Sequence, residues 1–107
     1  MKQSYLVIIE KGGNNYSAFS PDVPGCASTG KTVEETLENM REAFEFHLEG
    51  IVESGEEAPT PKGLSYYLEQ TEDISEEDII AHLTIETPET VAAWFANRLF
   101  FKWKRSN

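Results

Sequence analysis

The chain is poor in several things that would each announce a function. It has one cysteine, Cys26, in 107 residues. That excludes an internal disulfide and a thiolate metal cluster, and it fits a reducing cytosol. Cations are scarce: 9 Lys and Arg stand against 19 Asp and Glu, a formal net charge of −10. So acidic a surface argues against a whole-domain nucleic-acid binder. It suits solubility and docking onto a basic partner. No run approaches the ~20 apolar residues that cross a bilayer. Lys2 is followed only by the short apolar run Tyr5 to Ile9, so no signal peptide is expected. There is no internal repeat and no low-complexity segment. The length allows one domain with one modest core.

Tyr5-Leu-Val-Ile-Ile9 is apolar on both faces and reads as a central, doubly covered strand. Lys11-Gly-Gly-Asn-Asn15 tolerates positive φ and reads as a hairpin loop, with Tyr16 to Ser20 returning as the second strand. Pro21 and Pro24 end that strand, and Gly25 permits the left-handed conformation of a turn. Cys26-Ala-Ser-Thr29 reads as a short third strand whose small side chains let a helix approach. Asp22 reads as an Asx-type turn residue and Cys26 as a small buried hydrophobe.

Thr32 and Glu35 have the spacing of a capping box. Val33, Leu37, Met40, Phe44, Leu48 and Ile51 then make one apolar helix face, with Arg41 the lone cation and Gly55 the stop. Phe46 lies opposite that stripe. It is a candidate subunit or partner contact, or an aromatic covered by a loop or by nothing. His47, at the edge of the stripe, reads as structural. Glu56 to Gly63 is a loop, and Leu64 to Gln70 a helical turn or covering flap. Ile79, Ala81, Leu83 and Ile85 alternate with Ile80, His82, Thr84 and Glu86 as a half-buried strand, placed beside the first as a parallel neighbour. His82 falls on its polar side.

Thr87-Pro88-Glu89 starts a further helix. Its Trp94, Phe95, Leu99, Phe100 and Trp103 spread around the cylinder, with Arg98, Lys102 and Arg105 between them. One surface helix does not need that much apolar area. These five residues and Phe46 are the candidate oligomer contacts. Contact of the basic-aromatic tail with RNA or a membrane surface is the less favoured reading, since the acidic body repels anions.

Tyr16-Ser-Ala-Phe-Ser-Pro-Asp-Val-Pro-Gly-Cys26 followed by Gly30-Lys-Thr-Val-Glu-Glu-Thr-Leu resembles the HicB-type antitoxin family. The motif positions are Pro21, Asp22, Pro24, Gly25, Cys26, Gly30, Thr32 and Glu35. The match runs from about Tyr5 to Pro61 and more loosely to Glu86. Position 36 is Thr where the family usually has Ala, a minor change on a helix flank. The resemblance implies an α+β chain: a partial ribonuclease-H-like β-β-β-α-β domain over residues 1–86, with an additional C-terminal helix over 87–107. It implies a prokaryotic, cytoplasmic, homo-oligomeric protein, a dimer or tetramer, that sequesters a HicA-type toxin, a small basic mRNA-cleaving ribonuclease. Many family members append a DNA-binding domain. The roughly twenty residues after Glu86 are too few for a helix-turn-helix, which speaks against DNA binding. No catalytic, cofactor or metal site is expected. The alternatives are an orphan oligomer without a toxin and, less favoured, a metal-dependent nuclease drawing on Glu10, Glu38 and Glu86.

Overall fold

The computed structural model describes residues 2–70 and 74–87. The elements run β1 (Lys2–Lys11), β2 (Tyr16–Phe19), β3 (Ala27–Gly30), α1 (Val33–Glu53), α2 (Leu64–Gln70) and β4 (Ile79–Glu86). They form an α+β architecture: one four-stranded sheet in the order β3-β2-β1-β4, every pair antiparallel, with α1 across one face. The expected order of strands and helix is kept, with α2 inserted before β4. Trp94, Phe95, Leu99, Phe100 and Trp103 lie outside the described residues, as does nearly all of the 87–107 segment.

β1 is central because both of its faces can be buried. Tyr5 through Ile9 are all fully buried. Tyr5, Val7 and Ile9 point into the cluster under α1, where they meet Met40, Phe44 and Leu48. Leu6 and Ile8, alternating with them, are closed to solvent on the opposite face. The rings of Tyr5 and Phe44 stack at 5.3 Å between centroids. The hairpin loop closes through the Gly12 amide to the Asn15 carbonyl at 2.8 Å. No residue in it takes a positive φ, contrary to expectation.

α1 begins where its cap predicts. The Thr32 hydroxyl accepts from the Glu35 amide at 3.0 Å. The helix ends in a Schellman motif. Gly55, at φ 86°, donates to the Val52 carbonyl, and Glu56 donates to that of Ile51. Met40, Phe44 and Leu48 are buried as the stripe requires, with Val33, Leu37 and Ile51 packed partly against the core. Two buried positions, Thr36 and Val52, were not among the predicted stripe.

Thr36 is not on a flank. It is fully buried at the point where helix and sheet come closest. Ser28 donates to the Thr36 carbonyl at 2.9 Å, and the Asn39 amide group donates to the Thr29 carbonyl at 2.8 Å. A Cβ on Gly30 would fall 2.6 Å from the Thr36 hydroxyl and 2.7 Å from its backbone nitrogen. Third-strand pairing starts at Ala27, one residue later than expected.

The expected parallel β4 is a second correction. β4 is antiparallel to β1, with Ile9 opposite Ile79 and Lys2 opposite Glu86. The reason lies in the connection. After α1 the chain is tied to the N-terminal half of β1, where the Tyr5 hydroxyl donates to the Pro59 carbonyl at 2.7 Å. A direct entry from there would run parallel. Instead α2 intervenes, and β4 enters from the far end, beside Ile9. Arg41 fastens the sheet edge to α1 by donating to the Thr84 carbonyl at 3.0 Å.

Gly30→Ala is expected to lower the stability by about 1–3 kcal/mol, because backbone as well as side chain must move. Urea denaturation of the variant checks this. An unchanged midpoint would show that the approach is not tight.

Candidate functional site

The motif residues gather at one turn and the helix start beyond it. Val23, Pro24, Gly25 and Cys26 form a β-turn closed by the Cys26 amide to the Val23 carbonyl at 3.1 Å. Pro24 sits at the second position and Gly25, at φ 87°, at the third, which is a type II turn. The Ser20 amide donates to the Cys26 carbonyl at 3.3 Å, pinning the turn to the end of β2. His47 of α1 packs against the turn. A Cβ on Gly25 would touch its imidazole at 3.4 Å.

Asp22 is the centre of this arrangement, and it is more than a local turn residue. Its side chain is buried and accepts three hydrogen bonds. The Leu6 amide donates at 2.8 Å, the Lys62 amide at 3.0 Å and the Tyr67 hydroxyl at 2.7 Å. The first bond has a simple origin. The β1–β2 ladder ends at Ile8 and Phe19. Continuing its register would set Leu6 against Pro21, which begins the turn. The Asp22 carboxylate therefore takes the Leu6 N–H that β2 leaves. The other two bonds fasten the loop before α2, and α2 itself, to the same carboxylate. Nothing in local sequence signals a contact spanning forty residues or more.

Electrostatics follow burial. Tyr5 is pushed up to about 12, first by desolvation and then by the negative charge of Asp22. Tyr67 is raised by burial, then by its hydrogen bond to Asp22 and the charge of that group. Burial alone raises Cys26 to about 11, so its thiol stays protonated and unreactive at neutral pH.

The remaining predicted positions scatter. Pro24, Gly25, Thr32 and Glu35 are exposed, Pro21 half-buried, and Cys26 and Gly30 buried. Phe46 stands 80 % exposed on the outer face of α1. It rims a groove of about 420 Å³ with His47, Gly50, Ile51, Glu53 and Glu56. The carboxylates considered for a metal site do not converge. Glu10 lies near one end of β1, while Glu86 pairs with Lys2 at the other. That separation is about 26 Å along the strand. Among the described residues no cluster of three His, Cys, Asp or Glu is placed to hold a metal, and no helix is long and apolar enough to cross a membrane.

Asp22→Ala is expected to cost about 3 kcal/mol, since it strands a buried strand amide and releases the α2 segment. Tyr67→Phe should cost about 1 kcal/mol. Urea titrations measure both. The tyrosines also set an alkaline limit. Each is held protonated in the folded state above its unfolded value near 10, so its contribution is complete below pH 10 and is lost as the pH climbs, for Tyr5 through about 12 and for Tyr67 later still. Tyr5→Phe is expected to flatten that loss in a denaturation series from pH 9 to 12. An equally steep fall would assign it to other groups.

The chain can now be set beside known proteins. A protein of 14.9 kDa from the rep-hol intergenic region of Haemophilus phage HP1 is 43 % identical over 68 residues, which are 64 % of this chain and 51 % of the phage protein. The match therefore spans about half that relative's length. A UPF0150 protein of Synechocystis sp. is 42 % identical over 62 residues, 55 % of this chain and 73 % of its own. Among solved structures, the N-terminal domain of the Burkholderia pseudomallei antitoxin HicB superposes with a TM-score of 0.66 at 24 % identity, covering 79 % of this chain and all of that one. A chain of the HicA3 and HicB3 toxin-antitoxin complex gives 0.63 at 26 % identity, with the same coverage. The antitoxin HicB3 gives 0.66 at 27 %, over 78 % of this chain and 62 % of that one. The model of the HicB-like antitoxin of bacterial toxin-antitoxin systems matches residues 5–97, and the chain belongs to that family.

Proposed function

We propose that this protein is the protein-binding half of a toxin–antitoxin pair, which neutralises a small basic HicA-type ribonuclease by covering it. The observation that carries the reading is the family membership, joined to a fold shared with a chain of the HicA3–HicB3 complex. Charge supports it: a formal −10 would draw in and hold a basic partner. The scatter of Glu10 and Glu86 to opposite ends of β1 speaks against a two-metal nuclease on this chain, which needs carboxylates gathered at one spot. In this reading the protein performs no chemistry, works in the cytoplasm as a homo-oligomer, and does not bind DNA through the 87–107 segment. The partial ribonuclease-H-like description of its domain belongs to the same proposal and rests on the strand–strand–strand–helix–strand order.

Co-expression with a small basic HicA-type toxin encoded next to it is the test: relief of that toxin's growth arrest and a complex stable in size-exclusion chromatography are expected. The complex should weaken as salt rises from 0.1 to 0.5 M, because much of the attraction is between surface charges. Failure to form a complex, with growth still arrested, would overturn the reading in favour of an orphan oligomer.

A further inference from the structure

β4 closes one end of the sheet, and among the described residues no strand pairs with its outer edge. Backbone groups alternate in direction along an antiparallel strand. The Leu6 amide turns away from β4 to reach Asp22, so Tyr5, Val7 and Ile9 are the residues of β1 that face β4. Their partners Leu83, Ala81 and Ile79 face back. Ile80, His82 and Thr84 therefore direct N–H and C=O outward, and the Thr84 carbonyl does meet Arg41 there. An open edge eight residues long is a template for another strand. The opposite edge is a poorer one: β3 has four residues, and Asn39 already takes its Thr29 carbonyl.

We propose that the strand added there is β4 of a second copy, antiparallel about a two-fold axis at Ala81, so that two sheets join into one. The proposal rests on the homo-oligomer reading above and gives it a surface. In this register Ile80 of each copy lies opposite His82 of the other, and the two pairs exchange four hydrogen bonds. The next pair outward sets Asp78 against Thr84 and forms one bond, from the Thr84 amide to the Asp78 carbonyl. The bond left unmade would need the Asp78 amide and the Thr84 carbonyl. Both are already occupied within the chain, the amide by the Ser75 carbonyl at 3.2 Å and the carbonyl by Arg41 at 3.0 Å. Moving the axis to His82 would set the Ile80 amide against that occupied carbonyl. Charge favours the same contact. Ile79 to Thr84 holds no carboxylate in a chain of net charge −10, and Arg41 of each copy comes beside Asp78 of the other. Ile79, 40 % exposed, comes to lie against Leu83 of the other copy.

The native Cys26 is buried, so Ala81→Cys adds the one accessible thiol of the described residues, at the axis. Residues of such a pair stand about 5 Å apart. Mild oxidation of the full chain is expected to give a covalent dimer that dithiothreitol reverses, whereas Thr29→Cys on the opposite edge should give none. His82→Pro removes an amide that points outward, so its own sheet loses no bond. It should turn dimer into monomer in light scattering, with far-UV circular dichroism unchanged. A parent chain that is monomeric at every concentration overturns the proposal, and so does a dimer that Ala81→Cys does not cross-link. A monomer whose Ile80 and His82 amides gain hydrogen-exchange protection only with a HicA-type toxin gives the edge to the toxin and overturns it too. The toxin complex is scored apart: a cross-link that fails while that complex forms overturns this contact alone.

Discussion

A single buried carboxylate holds together parts of the chain that hydrophobic packing alone would leave loosely related. Asp22 takes an amide of the central strand, an amide of the loop before α2 and a hydroxyl on α2 itself. A carboxylate without partners would be costly at this depth. With three donors it becomes a fixed point, and charge-assisted bonds are stronger than neutral ones. The consequence is topological. The chain after α1 is held near the N-terminal half of β1, and only the passage through α2 brings it to the opposite end, from which β4 enters antiparallel.

The proline–glycine turn, the capped helix and the small third strand serve that same geometry. Pro24 and Gly25 satisfy the dihedral demands of a type II turn. The turn presents Cys26 inward and brings Gly25 against His47. Gly30 then lets Thr36 come within a distance no side chain would allow. Each of these residues has an explanation in the fold. The same signature that identifies the family therefore describes its scaffold.

What could be read from the residues divides along the range of the interactions. The first strand, the type of turn, the helix cap and its glycine stop were all legible, because each depends on neighbours within four or five positions. The alternation of β4 was legible as well, and its burial at Leu83 and Ile85 follows it. Its direction was not, because that depends on contacts from Pro59 to Tyr5 and from Lys62 and Tyr67 to Asp22. Asp22 itself looked like an ordinary Asx turn since its partners are remote. Thr36 looked peripheral since its neighbour is another strand's glycine. Phe46 was read from the wheel as lying opposite the core stripe, and it does; a wheel cannot report the groove beside it, which needs the helix end and the chain beyond Gly55.

The division also bears on which positions of so small a protein can change without loss of its fold. The main core cluster lies between one face of the sheet and the inner stripe of α1, with Leu6 and Ile8 of β1 closed to solvent on the other face. The outer face of α1 contributes almost nothing to that core. Glu38, Glu42 and Glu45 there are exposed, and so is Phe46. Substitutions at such positions normally alter stability by less than about 0.5 kcal/mol. Side chains on that face can therefore vary with little effect on the fold, while Asp22, Gly30 and Thr36 cannot. A scaffold whose constraints lie inside and whose charge lies outside separates the residues that make it fold from those the fold leaves free to change.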